Sequence, residues 1–310
     1  MKLYRTLGSI NDHQPSAVAL GFFDGLHIGH IELLSSMTSY AKEHGLSADI
    51  FTFRNHPKNA MSGRLAVPRL MTGAEKHELL SRLGIDRVFE FDFSDGFHTM
   101  APWFFARTLI KDAFSAEAVF CGFNFRFGAD AAGDKETLRD LGGVYGYRTF
   151  VTNPVYLDGM LVSSSLIRRC INDGDVVTAG FLLGRDYALS GPVEEGRRLG
   201  HTFGFPTANI TPDPQMTLPA LGVYVTEVLI NGARYPSISN VGVNPTVAAG
   251  NAVLLETHIL GEDITLYGKT ITVFLKKMLR EEQRFDSKET LMRQIASDVE
   301  AARLFYSDHL

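Results

Sequence analysis

The sequence predicts an α/β domain built on a parallel sheet, followed by a small antiparallel β-barrel with a terminal helix. Three observations carry this. The chain has 310 residues, enough for two domains of roughly 100–200 residues each. Its first half alternates short apolar runs with segments of helical periodicity, as a parallel sheet with helices on both faces requires. Beyond Ser190 the pattern changes to short β-rich runs separated by turn residues.

Taken in order, Ala17 to Leu20 is an apolar strand ending at Gly21, and Ile31, Leu33, Leu34, Met37 and Ala41 then recur with helical spacing. Ile50 to Phe53 is a second strand. Thr72-Gly-Ala-Glu75 reads as a capping box opening a helix through Leu83. Arg87 to Phe91 is a strand, Pro102 to Ile110 a helix, and Ala118 to Cys121 a strand. A helix from Lys135 to Leu141 and a strand from Tyr147 to Val151 continue the alternation. In the second half Val223 to Ile230 and Tyr235 to Ser239 flank Asn231-Gly232, a strong hairpin signal. Val253 to Ile259 and Ile271 to Leu275 are further strands. The closing helix, Ser287 to Phe305, sets Leu291, Ile295, Val299 and Ala302 on one face. The boundary falls near residues 184–190, giving domains 1–186 and 187–310.

Composition narrows the function. Hydrophobic residues make up 45% and charged residues 21%, an ordinary globular balance, and the net charge of −5 argues against a general nucleic-acid binder. The two cysteines, Cys121 and Cys170, form no Cys-x-x-Cys pair, so a disulfide framework or zinc site is not expected. No apolar leader or run of 18 apolar residues occurs, so a cytoplasmic protein with no membrane partner is expected.

The segment Ala19-Leu-Gly-Phe-Phe-Asp-Gly-Leu-His-Ile-Gly-His30 leaves a strand and enters a helix. Ligands bind at such places in α/β sheets. Gly21, Gly25 and Gly29 allow close backbone approach, and the helix N-terminus offers free N–H groups to phosphate. His27 and His30, three apart at the helix entry, can donate hydrogen bonds to a triphosphate and to leaving pyrophosphate. The competing reading is a turn with two surface histidines. Neither a Walker P-loop nor a GxGxxG fingerprint is present.

His27-Ile-Gly-His30 in this setting resembles the nucleotidyltransferase superfamily, whose motif is shared with class I aminoacyl-tRNA synthetases. With Phe120-Cys-Gly-Phe-Asn124-Phe-Arg-Phe-Gly128 and Val162-Ser-Ser-Ser165-Leu-Ile-Arg168, it resembles the FMN adenylyltransferase half of bacterial bifunctional FAD synthetases. The resemblance implies a Rossmann-like nucleotidyltransferase domain. It places Gly21, Phe23, Asp24, His27, Gly29 and His30 around ATP, adds Asn124 to the polar network, and puts Ser164, Ser165 and Arg168 on the triphosphate. Phe53, His56 and Pro57 then face the flavin. The family commonly reads Thr-Phe-x-Pro-His-Pro, where this chain has Thr52-Phe-Arg-Asn-His-Pro57.

The second constellation is Gly196-Arg-Arg-Leu-Gly200-His-Thr-Phe-Gly204-Phe-Pro-Thr-Ala-Asn209-Ile. Gly196, Gly200 and Gly204 suit a backbone wrapped closely around phosphate. Thr207 and Asn209 offer hard oxygen ligands appropriate to Mg²⁺ shared with nucleotide phosphates. Glu256, on the strand from Val253 to Ile259, is a carboxylate able to take a proton from an attacking alcohol. Together with Gly222-Val-Tyr224, Asn240-Val-Gly-Val-Asn-Pro-Thr246, Glu256-Thr-His258 and Leu266-Tyr-Gly268, the string resembles riboflavin kinase. That resemblance implies a six-stranded antiparallel barrel, Thr207 and Asn209 at the metal–nucleotide site, and Glu256 as base for the ribityl 5′-hydroxyl. Arg280 and Phe285 match the segment beside the flavin. His201 stands where many members have Arg.

The implied function is phosphorylation of riboflavin to FMN by ATP, followed by adenylylation of FMN to FAD with release of pyrophosphate. A synthetase fragment lacks support, because the lysine-rich second signature and an anticodon-type domain are missing. A non-catalytic flavin binder is the other alternative, and it is opposed by the usable functional group at every expected polar site residue.

Overall fold

The computed structural model describes residues 1–93, 96–194, 205–244, 252–261 and 266–308. The chain divides into two compact units, Met1–Ser163 and Ser164–Leu310.

The first unit is a six-stranded parallel sheet of β1 (Lys2–Tyr4), β2 (Ser16–Leu20), β3 (Ser47–Phe53), β4 (Arg87–Phe91), β5 (Ala116–Gly122) and β6 (Arg148–Thr152), in the order β1-β4-β3-β2-β5-β6. Alternate strand residues enter two separate cores, so both faces are covered. One face packs Ala17, Ala19, Ile50, Val88, Ala118 and Phe120 against Leu33, Leu34, Met37 and Ala41 of α1 (Ile28–His44) and other residues. The opposite face packs Val18, Leu20, Phe51, Phe89, Phe91, Val119 and Cys121 against Phe105, Leu109, Ile110 and Leu138. This is the burial a parallel sheet needs, and it explains why the central stretches Ala17–Leu20 and Ala118–Cys121 read as continuous apolar runs.

Short α2 (Pro57–Ser62) follows β3. The capping box at Thr72 is present and opens α3 (Gly73–Arg82). The expected helix from Pro102 differs in detail. Four residues of α4 (Pro102–Phe105) run into wider π-type turns over Ala106–Ala113. Next, α5 (Lys135–Tyr145) leads to β6, and the ribbon of β7 (Tyr156–Leu157) and β8 (Met160–Leu161) ends the unit. Edge strand β1 went unread because three residues carry no periodicity.

The second unit opens with α6 (Ser164–Asn172) and α7 (Val176–Leu183). A closed antiparallel barrel follows, in the order β10-β13-β12-β11-β14-β9. Its strands are β9 (Tyr187–Glu194), β10 (Ala208–Ile210), β11 (Gly222–Ile230), β12 (Ala233–Asn244), β13 (Ala252–Ile259) and β14 (Thr270–Glu281). The β11–β12 hairpin turns at Asn231 and Gly232, with φ of 51° and 84°. Positive φ at both positions is the geometry that an Asn-Gly turn predicts.

Strand β9 was hidden by its Gly-Pro pair. Gly191 is not a turn residue: a Cβ there would lie 2.4 Å from Ile210 Cγ2, so glycine permits close strand approach. Strand β14 is longer than the apolar run Ile271 to Leu275. Its charged continuation is held by partners, Lys276 by Asp186 and Glu227, and Arg280 by Asp298. Terminal helix α8 (Lys288–Ser307), capped by Ser287, lays Val299 and Ala302 over Val223, Val225 and Ile238 on the barrel exterior. Inside, the hydroxyls of Thr226, Ser237, Ser239 and Thr257 satisfy one another at 2.8 Å.

Gly222 begins β11 close against the backbone of β14. A Cβ there would stand 2.4 Å from Arg280 O and 3.2 Å from Glu281 Cα, and neither backbone atom can swing aside. Gly222→Ala is expected to destabilise the protein by about 1–3 kcal/mol through overpacking. Urea unfolding measures this, and an unchanged midpoint would count against so tight a fit.

Candidate active sites

In the first unit, the strand order reverses at β2, which lies between β3 and β5. A crevice outside the carboxyl ends of such strands is the usual ligand site. The turn Gly21–His27 fills that position. It is strained: Phe23, Gly25 and Leu26 have φ of 53°, 80° and 39°. Two of its side chains anchor it in the core, Phe23 at 1% exposure and Leu26 at 0%. A Cβ on Gly21 would meet the Phe23 ring at 2.9 Å, so glycine is needed there for packing. Asp24 is buried and accepts the Leu70 N–H at 3.0 and 3.2 Å. Its carboxylate therefore ties the turn to the segment that leads into α3.

His27 caps α1. Its Nδ1 accepts the His30 backbone N–H at 3.2 Å, which leaves Nε2 as the proton-bearing nitrogen. The two imidazoles stack, with centroids 3.6 Å apart and planes 13° from parallel. The Phe23 ring meets His30 edge-on at 5.2 Å. Burial drives the His30 pKa well below the ordinary imidazole range, reinforced by the neighbouring His27 ring and by the Lys76 ammonium. His30 is thus neutral at physiological pH, a dipolar partner for phosphate and not a full cation. Its Nδ1 is enclosed and has no hydrogen-bond partner. A Cβ on Gly29 would sit 3.4 Å from the His27 ring. The helix entry is therefore held closely against that ring.

Asn124 is exposed in the loop after β5, and its Oδ1 would lie 3.5 Å from a Cβ on Gly122. The flavin-side residues leave the end of β3. Phe53 packs on Phe51, Phe93 and Phe97. His56 caps α2, which begins at Pro57, and its ring stands edge-on to Phe22 at 4.9 Å. The two motifs thus meet through Phe22 and His56. Arg54 and Asn55, where the sequence departs from the family, both engage Asp92. Ser164, Ser165 and Arg168 fall in the other unit. Ser164 opens α6, and Arg168 lies one turn in.

Lys76 escaped the sequence reading. It is 7% exposed, and its Nζ donates to Phe22 O at 3.0 Å and Thr52 Oγ1 at 2.8 Å. Burial lowers its pKa to about 8, against the pull of the Glu90 and Asp24 carboxylates. The signal was available: Lys76, Leu79, Leu80 and Leu83 share one helical stripe, and a lysine on such a stripe needs a buried partner.

In the second unit, pairing across five strands aligns Asn209, Glu256, Asn240, Val223 and Arg280 in one row. Directly opposed residues share a face. Their neighbours Ile210, Leu255 and Thr257 alternate with them and are buried. Burial raises the Glu256 pKa, a hydrogen bond from Asn240 opposes the rise, and the Glu282 charge adds to it. Glu282, also unread, comes within 3.2 Å of where a Gly242 Cβ would stand, as does Asn240 Nδ2.

Asn209 is 7% exposed, and its Oδ1 has no hydrogen-bond partner. Thr207 directly precedes β10. The adjoining Pro206 carbonyl accepts from His258 Nδ1 at 2.8 Å, and Phe205 stands edge-on to the same ring. His258 thereby fixes the Pro-Thr-Ala-Asn segment against β13, two residues from Glu256. Arg280 is gripped bidentately by Asp298, with Nη2 at 2.8 Å, and its guanidinium lies 5.8 Å from the Phe285 ring centre. Gly196, Gly200, Gly204 and His201 lie outside the described residues.

Comparison with known proteins assigns both halves. The FAD synthetase family model matches residues 9–166, and the riboflavin kinase model matches residues 183–306. The bifunctional riboflavin kinase/FMN adenylyltransferase of Pseudomonas fluorescens is 33% identical, over 98% of this chain and 97% of that protein. Its counterpart from Escherichia coli K12 is 35% identical, over 99% of this chain and 98% of that protein. A Streptococcus pneumoniae crystal structure, described as a macrolide-efflux protein, superposes with a TM-score of 0.89 at 31% identity, over 97% of this chain and 98% of that one. Among the described residues here, no helix is long and apolar enough to cross a membrane. Two domain matches in the same chain and relatives aligned end to end establish that it belongs to the bifunctional riboflavin kinase/FMN adenylyltransferase family.

Proposed function

We propose that this chain converts riboflavin to FMN in its barrel and FMN to FAD in its α/β half, consuming ATP in both steps. The observation that carries this is where buried polar atoms lack a partner. Among the described residues these are His30 Nδ1, Asn209 Oδ1 and Tyr147 Oη. The first two belong to the two family motifs, one in each half. Native proteins seldom leave such atoms unsatisfied except where something else binds or reacts.

In the kinase reaction, Glu256 takes the proton of the ribityl 5′-hydroxyl as that oxygen attacks the γ-phosphorus of ATP. The bond from that phosphorus to the bridging oxygen breaks, and ADP leaves. Asn240 holds the carboxylate in place. The orphaned Asn209 Oδ1 and the hydroxyl of Thr207, two residues earlier in the chain, are hard oxygen donors of the kind that suits Mg²⁺. The ion would lend Lewis-acid stabilisation to the phosphoryl oxygens. Gly196, Gly200 and Gly204 complete the proposed phosphate loop, and Arg280 and Phe285 the flavin side.

In the adenylylation, an FMN phosphate oxygen attacks the α-phosphorus of ATP, the α–β bridge breaks, and pyrophosphate leaves. His27 and His30 orient the phosphates, with Gly21, Phe23, Asp24 and Gly29 shaping the turn around them. Asn124 belongs to the same proposed site, with Phe53, His56 and Pro57 toward the flavin; Ser164, Ser165 and Arg168 are proposed to bind triphosphate at the start of α6. Small molecules are then the only partners needed. A cytoplasmic setting without nucleic acid or membrane belongs to the same reading.

The boundary at 186/187 is part of this proposal, although α7 packs against β9 and β14 of the barrel. The test is chromatography of products after incubation with ATP, Mg²⁺ and riboflavin. The full chain is expected to yield FMN and then FAD. Fragments 164–310 and 187–310 are each expected to yield FMN alone. The longer should be more stable, because it keeps buried Val176, Ala179, Leu182 and Leu183. A full chain that is folded and makes neither product would sink the reading.

A further inference from the structure

The turn Gly21–His27 does not hold itself. Three of its residues have positive φ, two of them not glycine, and such strain persists only where the surroundings over-determine it. Two ties come from α3 and its lead-in. One is Asp24, bound to the Leu70 N–H. The other is Lys76. Its Nζ donates to Phe22 O and to Thr52 Oγ1, while Thr52 Oγ1 donates to Phe22 O at 2.9 Å. The three groups close a ring of hydrogen bonds, with the ammonium 5.5 Å from the Phe22 ring centre. An ammonium buried to this extent is costly unless paired and hydrogen-bonded, so its presence marks a constraint the fold maintains.

The ring joins the two halves of the adenylylation machinery. Phe22 opens the histidine turn. Thr52 immediately precedes Phe53 at the end of β3, from which the flavin segment departs. We propose that Lys76 is a positioning residue for FMN adenylylation, bolting the histidine turn to the end of β3 so that ATP and flavin are presented in register. This rests on the FMN adenylyltransferase reading of the turn. Lys76 is nearly enclosed, so it acts through Phe22 and Thr52 and not by touching substrate. Its charge also reaches His30 and favours the neutral imidazole. The charged groups acting on Lys76 are Glu90, Asp24 and Arg69, and Glu90 in turn faces His77 at 3.2 Å.

The experiment uses the full chain and two assays, riboflavin to FMN and FMN to FAD, each with ATP and Mg²⁺. Lys76→Met keeps the length and removes the charge and donors. Its kcat for FAD formation is expected to fall roughly 10–100-fold, as misplacement of about an ångström does. KM for ATP should change less, and FMN formation by the same preparation should be unchanged. The pH profile separates this from a merely structural role: without the Lys76 charge the His30 pKa moves upward while burial still holds it low, so any acid limb of kcat shifts modestly to higher pH. Lys76→Arg, which restores the charge, should recover part of kcat.

Unchanged FAD formation in Lys76→Met, beside an active wild type, overturns the proposal and leaves the adenylylation reading standing. Equal loss of both activities also overturns it, as general instability. An inactive wild type overturns both. If Lys76→Met does not fold, Thr52→Val decides. It opens the ring while keeping the ammonium, and a several-fold fall in kcat supports the proposal while an unchanged kcat refutes it.

Discussion

Replacing Glu256 with Gln is expected to lower riboflavin phosphorylation by about 10²–10⁴-fold, the usual cost of losing a general base. Gln keeps the shape and the contact with Asn240 but takes no proton. FMN adenylylation by the same protein should stay near normal, because Glu256 lies in the barrel row with Asn209 and Asn240. The pH dependence gives a second reading. Burial raises the Glu256 pKa above its ordinary value, with Glu282 adding to the rise and Asn240 opposing it. The base works deprotonated, so the wild-type rate should fall as pH drops through that raised value. The Gln variant should lack this limb. Stopped assays of FMN formation across pH measure both, and a variant with wild-type turnover removes Glu256 from the reaction.

His30→Ala is expected to lower FAD formation about 10²–10³-fold, the cost of removing one preorganised donor, and to spare FMN formation. The loss should appear mainly in kcat, since the interaction strengthens as charge grows on departing pyrophosphate. A second effect follows from the depressed pKa of His30. Between the unfolded value near 6.5 and the lower native one, the unfolded chain holds more protons than the native state. Native stability therefore falls as pH drops through that window, and His30→Ala should remove this part of the slope. The alternative, a histidine that merely caps a helix, predicts near-normal turnover. Steady-state kinetics of FAD formation on folded variant, with thermal unfolding from pH 7 downward, distinguishes the two.

What the sequence by itself determined was local. Apolar period marked the strands of the α/β half, because a parallel sheet buried on both faces leaves uninterrupted runs such as Ala17–Leu20 and Ala118–Cys121. Thr72 and Glu75 announced a capped helix, and Asn231-Gly232 a hairpin, through chemistry confined to a few neighbouring residues. The His27-Ile-Gly-His30 and Pro-Thr-Ala-Asn209 motifs pointed to the two family halves for the same reason. Only tertiary structure decided the rest. Asn209, Glu256 and Asn240 are far apart in sequence and become neighbours through strand register, which no local pattern encodes. Arg280 meets Asp298 because α8 folds back on the barrel exterior. The stripe of Lys76, Leu79, Leu80 and Leu83 turns Lys76 inward, but only the packing of α3 supplies its partners, Phe22 O and Thr52 Oγ1. Its pKa, like those of His30 and Glu256, follows from burial and from neighbours supplied by other elements. Desolvation and charge proximity are properties of three-dimensional surroundings, so the sequence offered the reacting groups while the fold set their protonation and their distances.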